Sequence, residues 1–214
     1  MSTEPHFEFP KIHSFPPLYT KQPNQTVQQQ QIESWCNILL QYCEFYKITS
    51  LTIEGAPKHS QLASSSSASA STPVSAPYTK GDIPPLFTNK AINRQVNTEF
   101  KNVIITNLIH SKKAEYINHK KPELGIFVYW RSIVDWGNLL YEYITNTGQQ
   151  GTVLTLYELT KSDDDDDNVN SLPQELRNLD EELLVKVIKD YLIKQGKAQL
   201  LMNESNEIGG VKIV

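Results

Sequence analysis

Two cysteines, five histidines and a run of five aspartates are the side chains of this 214-residue chain whose types could hold a metal or carry a reaction. Their spacing supports neither. Cys36 and Cys43 fall on one face of an expected helix but about 10 Å apart by helical rise, too far to bridge, so both are expected as buried free thiols. His6, His13, His59, His110 and His119 have no metal-ligand spacing and no cysteine pair beside them. The run Asp163 to Asp167 lacks the alternating ligands and the glycine of a calcium loop and reads as a solvated acidic loop, about 161–171. There is no glycine-rich phosphate loop, no G-x-S-x-G elbow, and no Cys or Ser set with His and Asp partners. The expectation is a protein that is no enzyme and holds no metal and no cofactor.

The segment that could do recognition chemistry is Phe15, Pro16, Pro17, Leu18 and Tyr19, ahead of any periodic element. Prolines hold such a segment extended, and an extended strip with aromatic anchors loses little entropy on docking into an apolar groove. Residues 1–25 are therefore expected to be an extended proline-aromatic tail that docks a partner. Two other readings of the same residues stay open: a strap folded back on the chain's own first domain, and a short ligand of the kind WW domains bind.

The elements that must position this tail declare themselves by repetition. IESWCNILLQY from Ile32 recurs as IVDWGNLLYEY from Ile133, and VIITNLIHSKKAEYI from Val103 recurs as VIKDYLIKQGKAQLL from Val187. The second pair is closer together than the first by about 17 residues, which the low-complexity run QLASSSSASASTPVSAP accounts for as an insertion. Two similar small domains follow, 26–131 with a Ser/Ala-rich insertion at about 57–82, and 132–214. Each reads as helix, strand, short helix, longer helix and hairpin. In the first, a Thr26–Gln29 capping box opens a helix through Tyr46, with a strand near Leu51, a short helical piece from Thr88 to Val96 and a helix from Thr98 to His110. In the second, Ser132 opens a helix that Thr147-Gly148 closes, a strand lies near Val153 and a short helical piece at Leu156 to Thr160; Asn178 and Glu181 cap a helix from Asp180 to Gln195. AEYIN with LGIFVYW, and AQLLM with GGVKIV, supply the hairpins. This order is that of the winged helix, so the fold class expected is α+β, two tandem winged-helix domains joined without a flexible linker into a rigid rod.

Charge weighs against the usual office of that fold. The net charge is −4 and the isoelectric point about 5.7. The third helices carry net charges of zero (Thr98 to His110) and −1 (Asp180 to Gln195), where a helix reading DNA should be basic. Lys112, Lys113, Lys120 and Lys121 flank the first hairpin and read as a solvated surface. Proteins are the expected partners, with a winged-helix nucleic-acid-binding regulator as the alternative. MSTEPHFEFP has neither a basic nor an apolar targeting region and no run spans a bilayer, so a cytoplasmic or nuclear location is expected.

The combination of SFPPLYTKQPN, IESWCNILLQYC, FVYWRSIVDWGNLLYEYI, GTVLTLYEL and the terminal GGVKIV resembles the small subunits of ESCRT-II, the endosomal sorting complex, and the Ser/Ala-rich insertion suits a fungal member. The resemblance spans nearly the whole chain apart from the insertion and the aspartate run. It implies two tandem winged helices without enzymatic activity, present as two copies per complex. It implies that Phe15, Pro16, Pro17, Leu18 and Tyr19 dock to the two larger winged-helix subunits. The second domain would recruit the first ESCRT-III subunit in multivesicular-body sorting of ubiquitinated cargo. Location would be cytoplasmic with peripheral recruitment to endosomes, membrane contact being indirect and nucleic acid not involved.

Overall fold

A computed structural model describes residues 6–58, 83–160, 171–177 and 179–214. The insertion from residue 59 to 82, the run Asp163 to Asp167 and Asn178 lie outside the described residues. The described chain divides into two compact units between Trp130 and Arg131.

The first unit is organised by helix α1 (Gln25–Phe45). Asn24 caps it, its Oδ1 accepting from the Val27 amide at 3.1 Å. This corrects the expected Thr26–Gln29 box: Thr26 sits inside the first turn, because the Asn24 side chain already reaches the third amide. Ile32, Trp35, Cys36, Leu39, Tyr42, Cys43 and Tyr46 are all buried, as their helical spacing requires. After α1 come β1 (Ser50–Leu51), a hairpin of β2 (Thr88–Asn89) and β3 (Arg94–Gln95), helix α2 (Thr98–His110), and wing strands β4 (Ala114–Tyr116) and β5 (Ile126–Val128). The β2–β3 hairpin stands where a short helix was expected. Asn93 takes a left-handed φ of 50°, which turns the chain back so that Thr88 pairs with Gln95 and the Val96 amide bonds the Phe87 carbonyl. The sheet order is β1-β5-β4, all antiparallel.

The second unit repeats the plan. Helix α3 (Ile133–Asn146) is capped by Ser132, as expected, and ends at Thr147 with Gly148 at φ +68°. Strand β6 is Val153–Leu154. Thr155 and Glu158 then form a reciprocal capping box, Glu158 Oε2 accepting from the Thr155 amide at 2.7 Å and Thr155 Oγ1 from the Glu158 amide at 3.2 Å. It opens a single turn over residues 156–160 in place of the expected short helix. Asp180, not Asn178, caps helix α4 (Glu181–Val187), its Oδ1 accepting from the Glu182 and Leu183 amides. The helix then widens into a π-helical stretch, Ile188–Ile193. Strands β7 (Ala198–Met202) and β8 (Ile208–Ile213) close a sheet of order β6-β8-β7, the same order as in the first unit.

Equivalent glycines mark the common topology. Leu51 lies opposite Ile126 and Leu154 opposite Val211, so Gly125 and Gly210 occupy matching places just before those partners. A Cβ on Gly125 would stand 2.2 Å from the Leu51 carbonyl oxygen, and one on Gly210 would stand 2.6 Å from Val153 Cγ1. The first strand of each domain crosses the wing too closely for a side chain there. Separate cores complete the units. Trp35, Phe100, Ile104, Leu108 and Ile126 fill the first, and Trp136, Leu140, Leu183, Val187, Ile188 and Leu192 the second. Each such side chain contributes about 1.5–3 kcal/mol by leaving water, a scale that suffices for a domain of this size only when nearly all of them are buried.

Candidate docking strap

Residues Lys11–Ser14 and Pro16–Tyr19 form two successive 3₁₀ turns that lie on the first unit. This corrects the expected extended conformation. Pro16 and Pro17 sit at the first positions of the second turn, where their fixed φ suits a tight helix as well as an extended strand. What selects the turn is hydrogen bonding to α1. Gln31 is buried and its Nε2 donates to the carbonyls of Pro17 (3.0 Å), Leu18 (2.8 Å) and Thr20 (2.8 Å). Its Oε1 accepts from the Gln22 amide at 3.2 Å. The Trp35 indole N–H donates to the Leu18 carbonyl at 2.9 Å. In the single chain the segment is folded back on its own first domain, the conformation that the strap reading requires.

The five expected site residues divide between two faces. Leu18 and Tyr19 are each 3% exposed and belong to the core of the first unit. Tyr19 packs edge-on against Trp35 with ring centres 5.4 Å apart, and its hydroxyl donates to the His13 carbonyl at 2.7 Å. Burial, opposed by a hydrogen bond to Asn89, pushes the Tyr19 phenol up to about 12, so it acts as a neutral donor. Phe15, Pro16 and Pro17 face outward; Phe15 is 55% exposed and Ile12, beside it, 39%. Leu18 and Tyr19 are thus the feet of the strap and Phe15 to Pro17 its outer surface. Phe7 and Phe9 are further feet: Phe7 meets Tyr42 edge-on at 5.7 Å and Phe9 at 5.0 Å.

Three supporting residues had no sequence signal for this role. Gln31 reads as one of several glutamines, His13 as an isolated histidine, and Asn89 lay in a misassigned helix. The structure brings His13 onto Phe9, stacked at 4.0 Å, with Asn89 donating to its carbonyl at 3.0 Å. The run of prolines and aromatics marked the segment, but the polar groups that hold it come from α1 and the β2–β3 hairpin.

Cys36 and Cys43 are buried and free; burial, then the Glu33 charge, pushes Cys36 up to about 11, and burial pushes Cys43 higher. Among the described residues no group of three His, Cys, Asp or Glu could hold a metal ion, and no helix is long and apolar enough to cross a membrane. Lys112, Lys113, Lys120 and Lys121 are exposed. Lys101 of α2 is buried against Glu54, and Lys186 and Lys194 both pair with Asp190.

Comparison with known proteins gives a consistent result. A family model described as ESCRT-II complex subunit matches residues 12–180. Vacuolar protein-sorting-associated protein 25 of Homo sapiens is 28% identical over 195 residues, covering 91% of this chain and 92% of the relative. The Saccharomyces cerevisiae protein of that name is 28% identical over 211 residues, covering 96% and 98%. A solved structure of subunit VPS25 of the endosomal trafficking complex ESCRT-II superposes with a TM-score of 0.73 at 26% identity, covering 96% of this chain and 98% of that one. The endosomal complex ESCRT-II with subunits VPS22, VPS25 and VPS36 contains a chain that superposes with a TM-score of 0.71 at 27% identity. These solved structures share the tandem winged-helix plan described above, α+β, and with the family match they show that the chain belongs to the ESCRT-II complex subunits.

Proposed function

We propose that this chain is the scaffold subunit that carries the ESCRT-II core to ESCRT-III. Its strap and first domain dock to the two larger winged-helix subunits, and its second domain receives the first ESCRT-III subunit during multivesicular-body sorting of ubiquitinated cargo. Two copies per complex make the recruitment multivalent. The protein acts from the cytoplasm, reaching endosomal membranes through the assembly. The observation that carries the docking reading is the strap itself: Phe15, Pro16 and Pro17 are held outward on a turn whose feet are buried, so an apolar ridge is presented with its ordering entropy already spent. The relatives' assembly with VPS22 and VPS36 supports the choice of partner. For the second domain, support comes from Val153 and Leu201, which stand exposed opposite Lys212 and Gly210 on the outer face of its sheet.

The test is co-purification of the full chain with the two larger subunits. Phe15→Ser, at a half-exposed position, should reduce recovery of both while leaving the melting temperature of the isolated chain unchanged. Full recovery with the variant would remove the strap from the docking surface.

A further inference from the structure

His13 is 4% exposed at the centre of the strap, and its surroundings are built for one charge state. The ring stacks on Phe9 (4.0 Å, 17°) and meets Tyr19 (5.7 Å, 65°) and Trp35 (5.9 Å, 81°) near edge-on. The Asn89 side chain faces Nδ1 at 3.2 Å. Its orientation is set by a second bond, because Asn89 Oδ1 accepts from the Ala91 amide at 3.0 Å, which turns the NH2 group toward His13. The same NH2 donates to the His13 carbonyl. Nδ1 is therefore an acceptor, and the neutral ring carries its proton on Nε2. A second proton, on Nδ1, would set two N–H donors face to face, and turning the Asn89 amide to relieve them would break the bond to Ala91.

We propose that His13 is a pH-sensitive latch, which holds the strap on the first domain while its imidazole is neutral and lets the strap go on taking up a proton. The groups packed around it come from four directions. Phe9 precedes it, Tyr19 comes from the second turn as a neutral phenol, Trp35 comes from α1, and Asn89 from β2. Lys11 of the same turn is exposed. Among the described residues no carboxylate pairs with the ring. Burial lowers the affinity of His13 for a proton, and the Leu86 carbonyl, which favours the charged form, does not outweigh it.

The direction of the effect follows from linkage. A released strap has an ordinary histidine, with a pKa of about 6.5. The docked histidine lies below it, so the released state binds more protons. Docking is at full strength above about pH 6.5 and weakens as the pH falls toward the docked value. With a released pKa of about 6.5, one proton can cost at most about tenfold in the docking constant between pH 7.5 and pH 5.5, and less the closer the docked value lies to the released one. The consequence for assembly rests on the docking role proposed above; the latch does not.

The experiment uses the full chain alone. Hydrogen exchange of the Trp35 indole N–H and the Leu18 amide, corrected for intrinsic rates, is measured at pH 7.5 and 5.5 alongside an NMR titration of the His13 ring. The expected result is a loss of strap protection of more than about twofold and up to about tenfold, α3 amides unchanged, and a His13 pKa below 6.5. A pKa at or above 6.5, or strap protection constant within about twofold, overturns the latch. His13→Phe keeps the stacking and removes the titration, and should make strap protection independent of pH. A change as large as that of the unsubstituted chain surviving in that variant assigns the effect elsewhere and overturns the proposal; if the variant does not fold, the wild-type titration decides. Recovery of the larger subunits at both pH values separates the two ideas, since a loosened strap with unchanged recovery removes the docking role and leaves the latch standing.

Discussion

Replacing Gln31 by Leu tests whether side-chain hydrogen bonding, rather than proline stiffness, holds the strap. Leu nearly conserves the volume at this buried position, so packing on α1 changes little. The variant loses the donors to the Pro17, Leu18 and Thr20 carbonyls and the acceptor for the Gln22 amide. Those carbonyls are not all orphaned: Leu18 keeps the Trp35 indole, and Pro17 and Thr20 keep the Gln22 side chain. The cost is therefore that of about two net hydrogen bonds, roughly 2 kcal/mol at about 1 kcal/mol each, and not that of several stranded groups. Because all the lost interactions join the strap to α1, the cost falls on local opening rather than on global unfolding. Strap opening should rise by about thirtyfold. Native-state hydrogen exchange by mass spectrometry on peptides covering residues 11–22 measures it against peptides from α2 and α3. A change below about threefold would refute the reasoning, and so would an equal loss in α2, which would show that Gln31 supports the whole domain.

Two other perturbations address the cores. Gly137→Ala places a Cβ 2.3 Å from the Tyr191 ring, which is itself tied to Asn138 Oδ1 at 2.6 Å, so the ring cannot swing away freely. Overpacking of about 1–3 kcal/mol exceeds the gain of about 1 kcal/mol in helix propensity, and the second domain should melt several degrees lower by circular dichroism. Unchanged or raised melting would show that the π-helical stretch of α4 yields. Cys36 and Cys43 should resist a thiol reagent at pH 8 in the native chain and both react in denaturant, because burial disfavours either thiolate. Fast labelling of the native chain would contradict the burial of the α1 face.

The repeat, the paired Trp35 and Trp136, the buried stripe of α1 and the limits of α2 were legible because each rests on local periodicity or a local cap. Ser132 and Thr147-Gly148 bound α3 for the same reason: a cap needs amides within three residues of itself. Local signals also misled where two were compatible with one segment. Thr26 and Asn24 both suit a cap, and the helix took the earlier one. Residues 88–96 have helical spacing of apolar groups, yet Asn93 in the left-handed region and the pairing of Thr88 with Gln95 make a hairpin. The π-helical stretch of α4 had no signal in VIKDYLIK, which aligns without a gap to the α-helical VIITNLIH.

The sequence by itself determined two winged-helix domains, a proline-aromatic segment ahead of them and the absence of any spacing suited to catalysis, since all of these are matters of composition and short-range order. Only the tertiary structure decided that the segment is a strap with Phe15 outward and Tyr19 inward. Pro16 and Pro17 are compatible with an extended strip and with a tight turn alike. The choice between them is made by Gln31, Trp35 and Asn89, residues distant in the chain whose donors reach the strap only after α1 and the β2–β3 hairpin have packed.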